Sequence, residues 1–380
     1  MALICSAALL AGLLAILLWE RRARDKALAA IPIRIHVNGT RGKSTVTRFI
    51  AAALRDAGIR TIAKTTGTAP RIILADGSER AVRRRAPASI REQLWLLREA
   101  RRLGAEAVVV ECMAVDPELQ AVCEGEMIRS TIGVITNARP DHAEVMGATV
   151  DDVARALGST VPRSAVLVLG PTSGGEILAR AAQSRGSRVV RAVADDDDPE
   201  AWGGLPWMAA NAGIALAVTR ELGIADDDAR RAMLAASPDP GALRTGSVEV
   251  AGRRVGYVDA TAANDPQSLG LVLGDRRAGA IFVFHHRADR PARLGQFGEA
   301  APWSRGGDSL IVTGDRPDWV TWRRLRRRLP AGRSSFTARR RVADELRRRV
   351  SAPDAPQVVV FCGNTKGIGV GAIVARMQQA

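Results

Sequence analysis

A glycine-rich turn between an apolar run and a helix-like run is the feature that most constrains this fold. The turn occupies residues 39–44, reads GTRGKS and follows an apolar run at 33–37. A strand, such a turn and a helix together bind phosphate, because backbone N–H groups and the helix N-terminus face the anion. Lys43 would supply positive charge, and Ser44 a hydroxyl ligand for Mg²⁺. Val37 stands where the strict pattern has glycine, so the turn is a shortened variant, and a plain tight turn is the alternative.

Length and composition are those of an ordinary globular protein. The 380 residues are enough for two domains with separate cores, and 47% hydrophobic with 25% charged residues excludes a disordered chain. The four cysteines show neither CxxC pairing nor metal-ligand spacing. A structural zinc site or a disulfide framework is therefore not expected.

The net charge of +15 comes almost entirely from arginine. Aromatic residues make up only 4% of the chain and do not interleave with the arginines, so nucleic-acid binding is not expected. The arginine clusters are interpreted as solvated helix faces, and an anionic membrane or a polyanionic product is the alternative. The only lysines are Lys26, Lys43, Lys64 and Lys366.

An apolar segment at the N-terminus predicts a membrane anchor. Residues 2–19 contain no charge and would span ~27 Å as a helix, close to the hydrocarbon thickness of a bilayer. Trp19 would lie at the interface, and the basic residues at 21–26 place the C-terminal side in the cytoplasm. Neither a positive n-region nor a small-residue cleavage site is visible, which argues against a cleaved signal peptide. We expect a single-pass protein of the cell membrane with cytoplasmic catalytic domains; a buried core helix is the alternative.

After residue 30, apolar strand-like runs alternate with helix-like runs, which predicts two α/β domains with mostly parallel sheets. A breaker, SPDPG at 237–241, follows a helical stretch at 208–236. We therefore predict an anchor with its basic flank over 1–30, a central domain over 31–240 and a C-terminal domain over 241–380. Strands are predicted at 33–38, 60–64, 107–112, 131–136, 164–169, 188–192, 248–250, 255–258, 280–284, 309–312 and 357–361.

Three polar segments follow predicted strands, where open parallel sheets bind their ligands. Thr66 lies in the first, a Thr/Gly turn that could hold phosphate or a metal-bound water; a plain turn without a ligand is an equal alternative. Glu111 ends an apolar strand, and a carboxylate is costly to bury there unless it meets a cation, which favours a Mg²⁺ role. In the third segment, Asn137 is followed by Asp141 and His142. A metal or active-site role is favoured for His142 over a structural one.

The order of these motifs resembles the central ATPase domain of the Mur ligase superfamily, whose members are ATP-dependent amide ligases. The motifs are GTRGKST at 39–45, TGT at 66–68, Glu111, Asn137, DH at 141–142, PGALR at 240–244 and NDP at 264–266. Within the superfamily, the segments VNGTRGKS, NARPDH, AANDP, RADRPAR and GNTKGIG are similar to the ligase subunits of poly-γ-glutamate synthases. There, an N-terminal anchor replaces the usual UDP-sugar-binding domain.

The resemblance implies an α/β fold: a Mur-ligase-like central P-loop ATPase domain and a Rossmann-like C-terminal domain, preceded by one transmembrane helix. It implies ATP and Mg²⁺ as cofactors, and glutamate and a growing poly-γ-glutamate chain as substrates joined through an acyl phosphate. Small integral-membrane subunits would be partners, and the oligomeric state, a homo-oligomer included, is left open. The implied catalytic residues are Lys43, His142, Arg287 and Arg290; the ATP-binding residues are Gly39, Thr40, Arg41, Gly42, Lys43, Ser44, Thr45, Asn137, Asn264 and Asp315; the metal ligands are Ser44, Thr66, Glu111 and His142.

One departure from the family concerns lysine. Many Mur ligases hold a second metal with a carbamylated lysine after the DH motif, but this chain has no lysine between Lys64 and Lys366. We therefore expect an unmodified Lys64, with any second-metal role falling to His142 or Glu144. Two alternatives stay open: a related ligase with a different acceptor, and a membrane-anchored P-loop NTPase without ligase chemistry.

Overall fold

The chain forms two compact units, Met1–Asp239 (unit 1) and Pro240–Ala380 (unit 2), in a computed structural model. The structure describes residues 2–67, 69–84, 87–196, 199–202, 205–239, 243–263, 265–274, 279–300, 302–303, 307–327, 333–352, 355–365 and 367–378.

Unit 1 is built on an eight-stranded sheet. Its strands are β1 (Ile33–Asn38), β2 (Thr61–Lys64), β3 (Arg71–Ile73), β4 (Glu79–Ala81), β5 (Ala107–Glu111), β6 (Ile132–Ile135), β7 (Val166–Leu169) and β8 (Arg188–Arg191). They lie in the order β4-β3-β2-β5-β1-β6-β7-β8, and only the pairs that include β3 are antiparallel. The carboxyl ends of β2, β5, β1 and β6 therefore meet at one edge, where parallel sheets bind ligands.

Helices cover both faces of this sheet. They are α1 (Ala2–Ala30), α2 (Lys43–Asp56), α3 (Glu92–Arg102), α4 (Pro117–Val122), α5 (Ala143–Met146), α6 (Val150–Leu157), α7 (Gly175–Ser184), α8 (Pro206–Glu221) and α9 (Asp226–Leu234), with a π-helix at Cys123–Ile128 and 3₁₀ turns at Gly158–Thr160 and Pro199–Trp202. Helices α2, α8 and α9 bury Ile50, Ile214 and Met233 in one core, and α3 buries Leu96 and Leu97 in another. Strands β6 and β7 are apolar along their whole length, as buried parallel strands usually are, whereas the central strand β1 also carries polar residues.

Unit 2 contains a six-stranded sheet in the order β13-β12-β11-β14-β10-β9, in which only β9 and β10 pair antiparallel. Its strands are β9 (Arg244–Val250), β10 (Arg253–Asp259), β11 (Ile281–His286), β12 (Ser309–Gly314), β13 (Ser334–Phe336) and β14 (Val358–Gly363). Its helices are α10 (Pro266–Leu273), α11 (Pro291–Ala300), α12 (Trp319–Arg327), α13 (Val342–Val350) and α14 (Val370–Gln378), with a 3₁₀ turn at Arg339–Arg341. Phe284, Phe297 and Trp303 anchor one core, with ring centroids 5.1–6.3 Å apart.

The predicted α/β architecture is confirmed, with three differences. The helical stretch at 208–236 is two helices, because Gly223 adopts a left-handed φ of 74° and ends α8. The hairpin β3–β4 was not predicted. Its strands are three residues long, too short for a period-2 pattern, although Asp76-Gly77 is a turn signal. The strand β13 was missed for the same reason.

The N-terminal helix is apolar and long enough to cross a membrane over Ile4–Ala30. Most of its large apolar side chains are exposed and do not pack on the protein: Leu9 is 76% exposed and Leu13 is 53% exposed. The last turns of α1 pack on the rest of unit 1, where Ala27 and Leu28 are buried against α3. This exposure does not fit the alternative of a buried core helix.

A buried ion pair that sequence reasoning missed lies under the centre of the first sheet. His36 of β1 places Nδ1 2.8 Å from Oε2 of Glu124 in the π-helix. The other carboxylate oxygen of Glu124 accepts hydrogen bonds from the backbone N–H and the hydroxyl of Ser130, both at 2.9 Å. Burial alone lowers the pKa of His36, but Cys112 and Glu124 outweigh it and raise that pKa to about 10. The imidazolium is therefore part of the folded state at neutral pH.

We predict that this pair makes stability fall at alkaline pH. A folded-state pKa of about 10 for His36 lies above the ordinary value of 6.5, so its contribution is complete below pH 6.5 and is lost as the pH rises through 10. The loss is at most about 1.4 kcal/mol per pH unit, since one proton is involved. In thermal unfolding of the detergent-solubilised chain, the midpoint temperature of the wild type should exceed that of His36→Gln at pH 6.5. This difference in midpoint temperature should shrink as the pH approaches 10. A difference that stays constant from pH 6.5 to 10 would contradict the assignment.

Candidate active site

The glycine-rich turn connects the carboxyl end of β1 to the start of α2. Gly42 occupies the N-cap position of the helix with a left-handed φ of 83°, and no described side chain accepts a hydrogen bond from the first-turn N–H groups. The N–H groups of the first turn are thus available to an anion. A Cβ on Gly39, whose φ is 129°, would lie 2.1 Å from Oγ1 of Thr136, and one on Gly42 would lie 2.3 Å from Oδ1 of Asn211. Only glycine fits either position, and Asn211 of α8 is a contact that the sequence did not reveal.

Three of the four predicted metal ligands, Ser44, Thr66 and Glu111, lie in direct contact. Oε2 of Glu111, at the end of β5, accepts hydrogen bonds from the Ser44 hydroxyl at 2.9 Å and from the backbone N–H of Thr66 at 2.7 Å. Glu111 itself is 2% exposed. A hydroxyl and a carboxylate are hard oxygen donors that suit Mg²⁺, whose remaining positions usually go to phosphate and water. The described residues contain no group of three or more His, Cys, Asp and Glu that could hold a metal by themselves.

The side chain of Lys43 folds back over the turn. Its Nζ donates to the backbone carbonyl of Gly39 at 2.7 Å. The ammonium group therefore lies over the loop of backbone N–H groups, where an incoming phosphate would meet it. Thr45 follows in the first turn of α2, half-buried beside Ser44.

Asn137, just after β6, holds the turn in shape. Its Oδ1 accepts hydrogen bonds from the Thr40 hydroxyl at 2.7 Å and the Arg41 N–H at 3.1 Å, and its Nδ2 donates to the Arg41 carbonyl at 3.0 Å. Arg41 also pairs with Asp141 at 2.6 Å. Burial raises the pKa of Asp141, but Arg41 outweighs it and lowers that pKa below its usual value. With the Thr136 hydroxyl, which donates to the Arg41 carbonyl at 2.6 Å, the segment after β6 is thus bound to the turn through three side chains.

The described part of the chain has no hydrogen bond or ion pair between His142 and the group around Glu111. His142 adopts a left-handed φ of 48°, and its Nδ1 lies 3.4 Å from Oε1 of Glu144. The structure thus shows no direct contact between His142 and the ligand group at Ser44, and its metal role stays a prediction.

Lys64, at the end of β2, is fully buried in an ion pair. Its Nζ lies 3.2 Å from Oε2 of Glu92 on α3. The two oxygens of that carboxylate also accept hydrogen bonds from Arg84, at 2.7 Å (Oε1) and 3.1 Å (Oε2). Burial lowers the pKa of Lys64, while Glu92 opposes that shift. The contact with Glu92 favours an ammonium group, because a carbamate would bring two negative charges together.

The predicted residues of unit 2 lie at the carboxyl ends of its parallel strands. Oδ2 of Asp315 accepts a hydrogen bond from the Ala288 N–H at 2.7 Å, which fixes the segment containing Arg287 and Arg290. Arg287 pairs with Asp289 at 2.5 Å. Asn264, Lys366, Thr68 and the turn at 240–242 lie outside the described residues.

Sequence reasoning missed a buried histidine at the same end of this sheet. Nδ1 of His285 donates to the Asn364 carbonyl at 2.7 Å, and Nη1 of Arg293 donates to Oδ1 of Asn364 at 2.5 Å. Burial lowers the pKa of His285, so its imidazole is neutral at pH 7. Histidines that continue an apolar strand, as in IFVFHH, are the signal that could have revealed it.

Comparisons with known proteins identify two matching family models. The Mur ligase middle domain matches residues 37–202, and the poly-gamma-glutamate synthase CapB C-terminal domain matches residues 246–379. The chain is 35% identical to the PGA synthase CapB of Bacillus subtilis (strain 168) over 319 residues, 81% of this chain and 80% of that protein. It is 38% identical to the capsule biosynthesis protein CapB of Bacillus anthracis over 290 residues, 74% of this chain but only 62% of that protein.

Solved structures share the fold at low identity. A Mycobacterium tuberculosis folylpolyglutamate synthase complexed with ADP and AMPPCP aligns with a TM-score of 0.65 and 18% identity, covering 95% of this chain and 94% of that one. MurF from Acinetobacter baumannii aligns with a TM-score of 0.65 and 13% identity, covering 95% and 79%. A bifunctional folylpolyglutamate synthase/dihydrofolate synthase with Mn, AMPPNP and L-glutamate bound aligns with a TM-score of 0.60 and 18% identity, covering 94% and 92%.

We predict that Gly39→Ala weakens nucleotide binding while Gly58→Ala preserves it. Both glycines have positive φ values, so in both variants backbone strain costs about 1–2 kcal/mol of stability. A Cβ at Gly58 meets nothing within 4 Å, whereas at Gly39 it collides with Thr136. ADP affinity, measured calorimetrically on solubilised protein, should fall at least about tenfold in Gly39→Ala only. Equal affinities in the two variants would show that the close approach to Thr136 is unimportant.

We also predict that Lys64 stays unmodified and that bicarbonate does not stimulate the protein. After addition of ¹³C-bicarbonate, the NMR spectrum of the wild type should show no carbamate signal from Lys64. The spectra of the wild type and Lys64→Arg should therefore be the same in the carbamate region. Lys26→Arg, at an exposed position next to the anchor, is the matched control. A carbamate signal specific to Lys64, or bicarbonate activation that Lys64→Arg loses, would overturn this prediction.

Proposed function

This chain belongs to the CapB family within the Mur ligase superfamily, and we propose that it uses ATP to polymerise glutamate into poly-γ-glutamate through an acyl phosphate. The observation on which the proposal most depends is the convergence of Ser44, Thr66 and Glu111 beside the Lys43 ammonium. Such an arrangement can bind a phosphate chain with its metal. The names of the two relatives, a PGA synthase and a capsule biosynthesis protein, support this polymer as the product.

The proposed reaction overcomes the poor reactivity of a carboxylate. An oxygen of the terminal carboxylate attacks the γ-phosphorus of ATP, ADP leaves, and an acyl phosphate forms. The amine of the next glutamate then attacks the acyl carbon, loses a proton, and phosphate leaves with the original carboxylate oxygen. The protein lowers the barrier by positioning the reactants and by stabilising charge on the transferred group.

The residues of the turn would divide this work. The N–H groups at the start of α2 and the Lys43 ammonium would hold phosphate oxygens. Ser44 and Glu111 would hold Mg²⁺, which would neutralise phosphate charge when bound. Solved relatives with ADP, AMPPCP, AMPPNP and Mn support a nucleotide and a divalent cation here. We keep as proposals the roles that the family resemblance implies for four further residues. These are catalysis for His142, Arg287 and Arg290, a metal contact for His142, and ATP binding for Asp315.

We further propose that α1 spans the cell membrane once, with both units in the cytoplasm, where ATP is available. The exposed apolar side chains of α1 and the basic residues that follow at 21–26 support this orientation. Small integral-membrane subunits would then be neighbours in a synthase complex.

The proposal is tested by ATP turnover of the solubilised protein, or of membranes containing it, with and without glutamate. Phosphate release should require glutamate, and the product should form a mass ladder spaced by one glutamate residue. Lys43→Ala should lower turnover at least ~100-fold, because it removes the charge opposite the transferred phosphoryl group, whereas Lys26→Ala should not. Phosphate release without glutamate would favour an NTPase, and addition to another acceptor would favour a folylpolyglutamate synthase-like ligase.

We predict that Glu111→Gln weakens the Mg²⁺ dependence more than nucleotide binding without metal. Glutamine keeps an acceptor for Ser44 and Thr66 but loses the charge that a hard cation prefers. The Mg²⁺ concentration for half-maximal turnover should rise roughly tenfold or more. Glu118→Gln, an exposed carboxylate on α4, is the control and should match wild type. Superimposable Mg²⁺ titrations of wild type and Glu111→Gln would make Glu111 a structural residue.

A further inference from the structure

A groove between the hairpin β3–β4 and helix α3 is not used by the proposed reaction. It encloses about 650 Å³. Its apolar lining includes Ile72, Leu74, Val82, Pro87 and Trp95. Trp95 is 50% exposed although it is the largest apolar side chain of α3. An exposed tryptophan in a recess is a common feature of surfaces that contact lipid or protein.

The lining of the groove carries more arginines than carboxylates. Arg80 and Arg83 are exposed, and among the described residues their side chains make no hydrogen bond or ion pair, although Arg102, joined by Arg80, lowers the pKa of Glu99. The two carboxylates of the groove are already engaged. Glu92 pairs with Arg84 and Lys64, and Glu99 pairs with Arg102 of its own helix. Two guanidinium groups therefore remain for an anion from outside.

The groove lies beside the point where the apolar part of α1 ends. Arg91 of α3 pairs with Glu20 at 3.2 Å, and the guanidinium of Arg98 lies 6.0 Å from the ring centroid of Trp19. Arg91, Trp95 and Arg98 are all exposed and follow an i, i+4, i+7 spacing, so they form one stripe of α3. If residues 2–19 cross the bilayer, this stripe lies at the membrane surface, where tryptophan and arginine are favoured.

We propose that this groove binds one anionic phospholipid of the cytoplasmic leaflet. Arg80 and Arg83 bind the phosphate of the headgroup, and Trp95 with its apolar neighbours covers the glycerol and the first carbons of the acyl chains. A chain of glutamates would match the arginines but would leave the apolar floor without a partner. The lipid satisfies both halves of the groove. It would also fix unit 1 against the membrane at a second point besides α1.

The test is lipid retention by the full-length protein in detergent, measured by native mass spectrometry with phosphatidylglycerol and, separately, phosphatidylcholine. The wild type should retain one phosphatidylglycerol per chain in preference to phosphatidylcholine. Arg80→Gln/Arg83→Gln should weaken this retention roughly tenfold or more. Arg163→Gln/Arg180→Gln removes the same charge from two exposed arginines in the part of unit 1 around β7 and α7, and should match wild type.

Further arms identify the ligand. Trp95→Ala should also weaken retention, because the site needs its apolar half. Inorganic phosphate and a γ-linked glutamate oligomer should not displace the lipid at matched phosphate or carboxylate concentration. Equal retention in wild type and Arg80→Gln/Arg83→Gln, equal retention of the two lipids, or an undiminished affinity in Trp95→Ala would overturn the proposal. Displacement by phosphate would indicate a free-anion site, and displacement by the oligomer a polymer groove; either result would also overturn it.

Discussion

One carboxylate oxygen holds the candidate site together. Glu111 is the last residue of β5, which lies between β1 and β2. Its Oε2 accepts hydrogen bonds from Ser44, which follows β1, and from Thr66, which follows β2. Three neighbouring strands are thus joined where they end. A buried carboxylate is costly unless positive charge lies near it, and besides the charge of Lys64 a metal beside Ser44 would offset this cost. This junction fixes the start of α2 through Ser44, while Asn137 holds the turn before it.

Much of unit 1 could be predicted from sequence because the controlling signals are local. The turn at 39–44 follows an apolar strand directly, and Glu111 is conspicuous as a carboxylate after three β-branched residues. The pairs that escaped prediction are distant in sequence. His36 and Glu124 are separated by 88 residues, and the close approach of Asn211 to Gly42 depends on how α8 packs against α2. Neither relation leaves a pattern in a single sequence.

The arginine surplus has two different explanations in the structure. On α3 and α13, arginines pair with carboxylates three residues away, as in Arg102 with Glu99, Arg347 with Asp344 and Arg348 with Glu345. Such exposed pairs contribute little stability and describe solvated helix faces. Arg80 and Arg83 differ, because they lie beside an apolar recess whose carboxylates are already paired. Composition alone cannot separate these two cases; the positions of the partners do.

The central claim is that a carboxylate is activated by phosphorylation at the turn that Glu111 and Lys43 organise. Isotope transfer tests it most directly. Glutamate labelled with oxygen-18 in its carboxyl groups is polymerised by the solubilised protein, and the released phosphate is analysed by mass spectrometry. The account predicts one labelled oxygen in each phosphate released per amide bond formed, since the carboxylate oxygen leaves with the phosphoryl group. Unlabelled phosphate, with its new oxygen drawn from solvent water, would show that ATP is hydrolysed without carboxylate activation and would contradict the account.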